Sequence, residues 1–176
     1  MTRSTVRSFA LALLLSSAAW ADSAGGLAWE APSGWTAEAK PMRVANYVVP
    51  AAGGGEPGEL AVYYFGPGQG GSVQANVDRW IGQFRAPDGG SAAGLAQRSE
   101  KTVNGVAVTL LDLTGTYLFK AFPMAREATP KPGYRMLAAI AQGADAPIFF
   151  KLTAPSAAAA AAEGAFGKMI DSIRKE

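Results

Sequence analysis

The side chains best spaced for recognition chemistry are Ser72, Asn76, Arg79 and Gln83, which recur at i, i+4, i+7 and i+11 and so share one flank of a predicted helix. A hydroxyl, two amides and a guanidinium in one stripe offer donors and acceptors to a partner lying beside the helix. They do not pair a nucleophile with a base. An ordinary solvated flank, with Asn76 and Arg79 satisfying nearby loop carbonyls, accounts for the same stripe. A second set lies in the segment 118–133, where Phe119, Phe122 and Met124 stand among Lys120, Arg126 and Lys131 and three prolines. Loops this long inside a compact domain tend to carry contacts. Its apolar side chains either meet a partner or fold back over the sheet edge.

Neither histidine nor cysteine occurs among the 176 residues. Those side chains supply most general bases near neutral pH, most transition-metal ligands and the strongest nucleophiles, so many enzyme classes are excluded. What remains is acid chemistry by Asp or Glu, or Ser, Thr, Tyr and Lys nucleophiles outside any recognisable motif; a serine–lysine pair is the one formal exception. Met42, Met124 and Met136 are scattered thioethers and a poor copper(I) set. The run from Gly66 to Ser72 ends on a helix N-terminus but lacks the Gly-Lys-Ser/Thr ending of a phosphate loop, and reads as a flexible connection. Asp112 stands in an apolar strand and needs a cation such as Arg43, Arg135 or Lys151. No catalytic residue, metal site or cofactor is assigned, and a non-enzymatic domain is expected.

The elements that position these residues are legible from periodicity. Arg3 and Arg7, the apolar run from Phe9 to Leu15 and the motif Ala19-Trp20-Ala21 form a secretory signal over residues 1–21, with cleavage after Ala21. The run is too short for a retained membrane span. Export to the periplasm or the medium follows, and residues 22–26 form a flexible lead-in to one domain over 27–176. Losing Arg3 and Arg7 leaves 14 basic against 14 acidic residues. A neutral surface argues against nucleic acid, which needs a clustered basic footprint.

Strands are expected at Leu27–Trp29, Met42–Val49 and Glu59–Phe65. A helix capped by Ser72 carries Val73, Val77, Trp80, Ile81 and Phe84. The Asn104-Gly105 turn joins Leu95–Val103 to Val106–Tyr117, a further strand pair covers Tyr134–Ala141 and Ile148–Thr153, and Pro155 opens a helix through Arg174. The strand from Val106 is apolar on both faces, so it needs cover on both. The expected class is α+β, a three-layer α/β/α sandwich with a mainly antiparallel sheet of about six or seven strands between two helices.

This element order resembles the Mog1/PsbP-like superfamily. The passage from Tyr64-Phe65-Gly66 through Arg79-Trp80, and Pro132-Gly133-Tyr134-Arg135-Met136-Leu137, are similar to those of uncharacterised exported bacterial proteins. The resemblance covers nearly the whole domain and implies a protein-binding or assembly-accessory role, with no functional residue carried over. The expected function is therefore an envelope domain that binds another protein through Ser72, Asn76, Arg79, Gln83, Phe119, Phe122 and Lys131. The alternative is a small-ligand carrier whose pocket between sheet and helix is walled by Trp35, Tyr47, Tyr64 and Trp80.

Overall fold

The computed structural model describes residues 21–121 and 125–176. The expected export segment before Ala21, and Phe122 with Met124, lie outside the described residues. The strands are β1 (Ala21–Ala24), β2 (Leu27–Glu30), β3 (Thr36–Ala37), β4 (Ala45–Val49), β5 (Gly58–Tyr63), β6 (Phe84–Arg85), β7 (Gln97–Val103), β8 (Val106–Phe119), β9 (Thr129–Gln142), β10 (Pro147–Pro155) and β11 (Arg174–Lys175). Helix α1 (Val73–Ile81) falls between β5 and β6, and helix α2 (Ser156–Asp171) between β10 and β11.

Asn104 and Gly105 both adopt positive φ, 48° and 77°, which matches the turn to the twist of β7 and β8. From that hairpin an antiparallel sheet extends in the order β3-β4-β5-β10-β9-β8-β6, with β7 also paired to β8. Eight strands stand where six or seven were expected, because the short β3 and β6 extend its edges. Both faces are covered. Leu137, Ala139 and Ala141 of β9 pack with Ala162, Phe166 and Ile170 of α2. Their neighbours Met136, Ala138 and Ile140 pack with Val77 and Trp80 of α1 on the other face. In β8, Val106, Val108 and Leu110 take the α2 side while Leu111 and Leu113 take the α1 side.

Several boundaries differ from expectation. The strand expected from Met42 opens only at Ala45, since Met42 takes a positive φ of 63°. Four further differences each have a local reason. The stretch read as a flexible lead-in carries β1, which pairs with β2, and the Asp22 carboxylate accepts a hydrogen bond from the Tyr47 hydroxyl. Helix α1 stops at Ile81, before Gly82, so Phe84 is buried from β6 opposite Tyr117 and not from the helix. There Gly115 lets β6 approach closely: a Cβ on it would lie 2.6 Å from the Arg85 carbonyl oxygen. Helix α2 ends at Asp171, where the Ser172 hydroxyl donates to the Met169 carbonyl at 2.6 Å and accepts from the Glu30 N–H at 2.8 Å. Arg174 then joins β11, which completes a small sheet with β1 and β2.

The fourth of these differences is the segment 118–133, whose two ends belong to strands: residues 118–119 to β8 and 129–133 to β9. Leu118 pairs with Pro130 and Phe119 with Thr129. Pro130 and Pro132 are tolerated because β9 extends there beyond Tyr134↔Pro155, the last pair of its register with β10. No helix among the described residues is long and apolar enough to cross a membrane.

Candidate functional site

The two helices cover the sheet unequally. A nine-residue helix such as α1 is about 13 Å long, whereas the sheet is roughly 29 Å across at strand spacing. On the α1 side, β4, β5 and the Lys151 end of β10 therefore lie beyond the helix and are covered by side chains instead, Asn46 and Ala61 being 3% exposed. Polar side chains gather there because strand alternation points Glu59 and Tyr63 of β5, and Lys151 and Thr153 of β10, to that face, while Leu60, Val62, Phe150 and Leu152 enter the α2-side core.

Lys151 is the centre of this region. It keeps a minor exposed fraction, but its ammonium lies deep among protein atoms, donating to the Gln83 side-chain oxygen and standing 5.2 Å from the Tyr117 ring centroid. Burial pulls its pKa down to about 8; Arg43 and Arg79 add to the shift, and only Glu59 opposes it. Burial also disfavours the Glu59 carboxylate, yet hydrogen bonds from Arg43 and Lys40 outweigh that and hold its pKa below the ordinary value. Arg43 reaches Glu59 at 2.8 Å and also donates to the Asn46 side-chain oxygen. Burial pushes the Tyr117 hydroxyl up to about 12.

An aromatic run continues from Tyr117. Its ring stacks 5.9 Å from Tyr134 and meets Phe119 edge-on at 6.3 Å. Lys131 lies over both Phe119 and Tyr134, at 5.2 and 5.1 Å, while holding Glu56 at 2.6 Å. Phe119 remains 39% exposed at the end of this run.

The sequence-predicted partner residues divide accordingly. Gln83 lies beyond the end of α1, accepts from Lys151 and holds the Leu118 N–H through its carbonyl at 2.8 Å, so the helix flank and the 118–133 segment meet at this residue. Phe119 and Lys131 belong to the same face. Ser72 is the N-cap of α1 and accepts from the Ala75 N–H. Asn76 is not a surface group: it is 1% exposed and donates to the carbonyls of Gly70 and Ser72 at 2.7 and 2.8 Å. Arg79 in turn donates to the Asn76 side-chain oxygen. Asn76→Ala is therefore expected to cost about 1–3 kcal/mol of stability by removing the buried amide that ties the Gly70 and Ser72 carbonyls and Arg79 together, a loss that urea denaturation would read.

The expected ligand pocket does not form from the named residues. Trp35, Tyr47 and Tyr64 pack on the α2 side, whereas Trp80 packs on the α1 side, and the sheet separates them. Tyr47 is also fully buried, its hydroxyl accepting from the Trp29 indole at 3.2 Å. A cleft of about 360 Å³ does open between α2 and the β7–β8 edge, over Leu110, Leu137, Phe166 and Ile170. Its rim charges are already satisfied: Arg135 holds Asp112 at 2.6 Å and Glu163 at 2.7 Å, and Lys101 holds Asp171 at 2.6 Å. Arg135 is one of the three partners foreseen for Asp112.

Lys151, Glu59, Tyr117 and Asn46 were missed as site residues. A signal existed, since Lys151 shares strand parity with buried Phe149, but parity alone does not reveal where a helix stops covering a sheet.

No protein-family model matches the chain, and no curated protein shows significant similarity to it. Among solved structures it is similar to the protein of unknown function PA94 from Pseudomonas aeruginosa, at 15% identity and a TM-score of 0.49, over 82% of this chain and 88% of that one. It is also similar to cyanobacterial PsbP (CyanoP) from Synechocystis sp. PCC 6803, at 12% identity and a TM-score of 0.49, over 89% of this chain and 91% of that one. At these values the likeness assigns neither family nor function.

Proposed function

We propose that the chain is a non-enzymatic, exported domain of the cell envelope that binds another protein through the α1-side face beyond the helix. The observation that carries this reading is the aromatic run Tyr134, Tyr117 and Phe119, held in place under Lys131 and ending in a half-exposed phenylalanine. Pre-ordered aromatic rings beside a cation bury large area at small entropic cost, which is the make-up of interface anchors. Export rests on the three-part N-terminal pattern from Arg3 to Ala21. Binding is the reading favoured for Lys151 because its ammonium donates to the Gln83 amide oxygen and lies over the Tyr117 ring, while the nearby Glu59 is engaged by Arg43 and Lys40.

The test is capture from the native envelope with the domain as bait. Phe119→Ser is compared with wild type and with Leu95→Ser, a change at a similarly exposed apolar residue beside β7. A discrete protein retained by wild type and by Leu95→Ser, but reduced roughly tenfold or more by Phe119→Ser at unchanged melting temperature, is the expected result. Equal capture by all three baits would contradict the proposal.

A further inference from the structure

Resting on the reading of this face as the contact surface, we infer that its polar centre receives a carboxylate from the partner, an acidic side chain or C-terminus placed against the Lys151 ammonium and the Asn46 amide.

The charges on this face pair off unevenly. Glu59 is held by Lys40 and Arg43, and Glu56 by Lys131. Lys151 and Arg79 have no carboxylate partner among the described residues; each donates only to a neutral amide oxygen. A deep ammonium bonded to an amide leaves a charge that a carboxylate would compensate, and the compensation strengthens where water is scarce.

Sheet register supplies a place for it. Asn46 pairs with Ala61 and Ala61 with Lys151, while Ala138 flanks Lys151 on its other side. Two strand spacings separate Asn46 from Lys151, about 10 Å between backbones. Ala61 between them is 3% exposed, so an arriving carboxylate must displace side chains packed over it, Arg43 among them, which bonds to Asn46 and lies over Tyr63. Asn46 is 3% exposed, and its side-chain NH₂ has no hydrogen-bond partner. An orphaned buried donor costs free energy that an incoming acceptor would recover. A carboxylate fits better than a phosphate monoester, which would bring nearly two charges to a site with one deep cation. The lowered pKa of Lys151 agrees: burial pulls it down and Arg43 and Arg79 add to that against Glu59, so a further anion would favour the charged form.

The test follows the Lys151 ¹³Cε signal of lysine-labelled full domain by NMR during titration with sodium propionate, with sodium chloride at matched ionic strength as control. A bound carboxylate favours the charged amine, so the expected result is a saturable shift at millimolar propionate, a rise of about one unit in the Lys151 titration midpoint, and displacement of the captured protein by propionate. Exposed Lys168 and Lys175 should stay unmoved. An unmoved Lys151 signal at roughly 100 mM propionate overturns the inference; dependence of capture on Phe119 would then leave the binding face standing. Saturation at micromolar propionate without displacement of the protein also overturns it, because the source would then be a free organic acid. Loss of Phe119 dependence with carboxylate binding intact would instead remove the proposed function.

Discussion

Lys151→Met should make the protein more stable at neutral pH, by about 1–3 kcal/mol in urea denaturation. The wild-type ammonium is charged at that pH but sits where burial lowers its pKa from 10.5 to about 8. Groups from every neighbouring element face it: Glu59 and Tyr63 from β5, Arg43 ahead of β4, Arg79 from α1, Gln83 after it and Tyr117 from β8. Only Glu59 favours the charged form, and it is already shared by Arg43 and Lys40. The corresponding cost is on the order of 2–3 kcal/mol once the residual exposure of Lys151 is discounted, and part is returned by the bond to Gln83 and the contact with Tyr117.

The sign of the pH dependence follows from proton binding. Between about pH 8 and 10.5 the unfolded chain holds a proton on Lys151 that the folded chain has released, so wild-type stability should rise with pH across that window. Below the folded pKa the penalty is complete. Above about pH 10 the buried hydroxyls of Tyr47 and Tyr117, whose pKa values are raised in the fold, reverse the trend as the unfolded chain loses their protons first. The advantage of Lys151→Met should therefore shrink from about pH 7 to about pH 10. A variant less stable than wild type at neutral pH would show that Lys151 is a compensated structural cation, and the carboxylate inference would lose its premise.

Phe149→Ala should cost about 3–5 kcal/mol. Phe149 is fully buried from β10 and holds the α1 layer to the sheet, meeting Trp80 edge-on at 6.2 Å and Phe65 at 5.7 Å. The α1 layer has few alternatives, because Val77 and Trp80 are the only apolar side chains of α1 that are fully buried. Amide exchange in Val77–Ile81 should accelerate more than in β9, whose α2-side packing is untouched. A loss below about 1 kcal/mol would mean that α1 is held mainly by its loop hydrogen bonds, through Asn76.

The layers were legible because their signals are local. Asn104-Gly105 specifies its turn by conformational preference, and the two-sided apolar character of β8 announces two covering layers before either helix is placed. Element ends were less legible because they depend on tertiary pairing: Phe84 keeps helical spacing yet is drawn into β6, and Arg174 leaves α2 to pair with β2. The candidate site was half visible. Gln83, Phe119 and Lys131 could be named from position, but Lys151 became conspicuous only once α1 proved too short to cover it. Asn76 shows the opposite error, since a polar residue at a helix boundary reads as surface until a folded-back loop buries it.

The central claim, that the partner docks on the face between Phe119 and Lys151, is tested most directly by site-specific photocrosslinking in the living cell. A benzophenone side chain would be placed in turn at Phe119 and Gln83 on this face, and at Glu100 and Glu163 away from it. One protein adduct of common mass from Phe119 and Gln83, absent from Glu100 and Glu163, is the predicted result. Adducts only from Glu100 or Glu163 would contradict it and move the contact surface to the β7 edge or to α2.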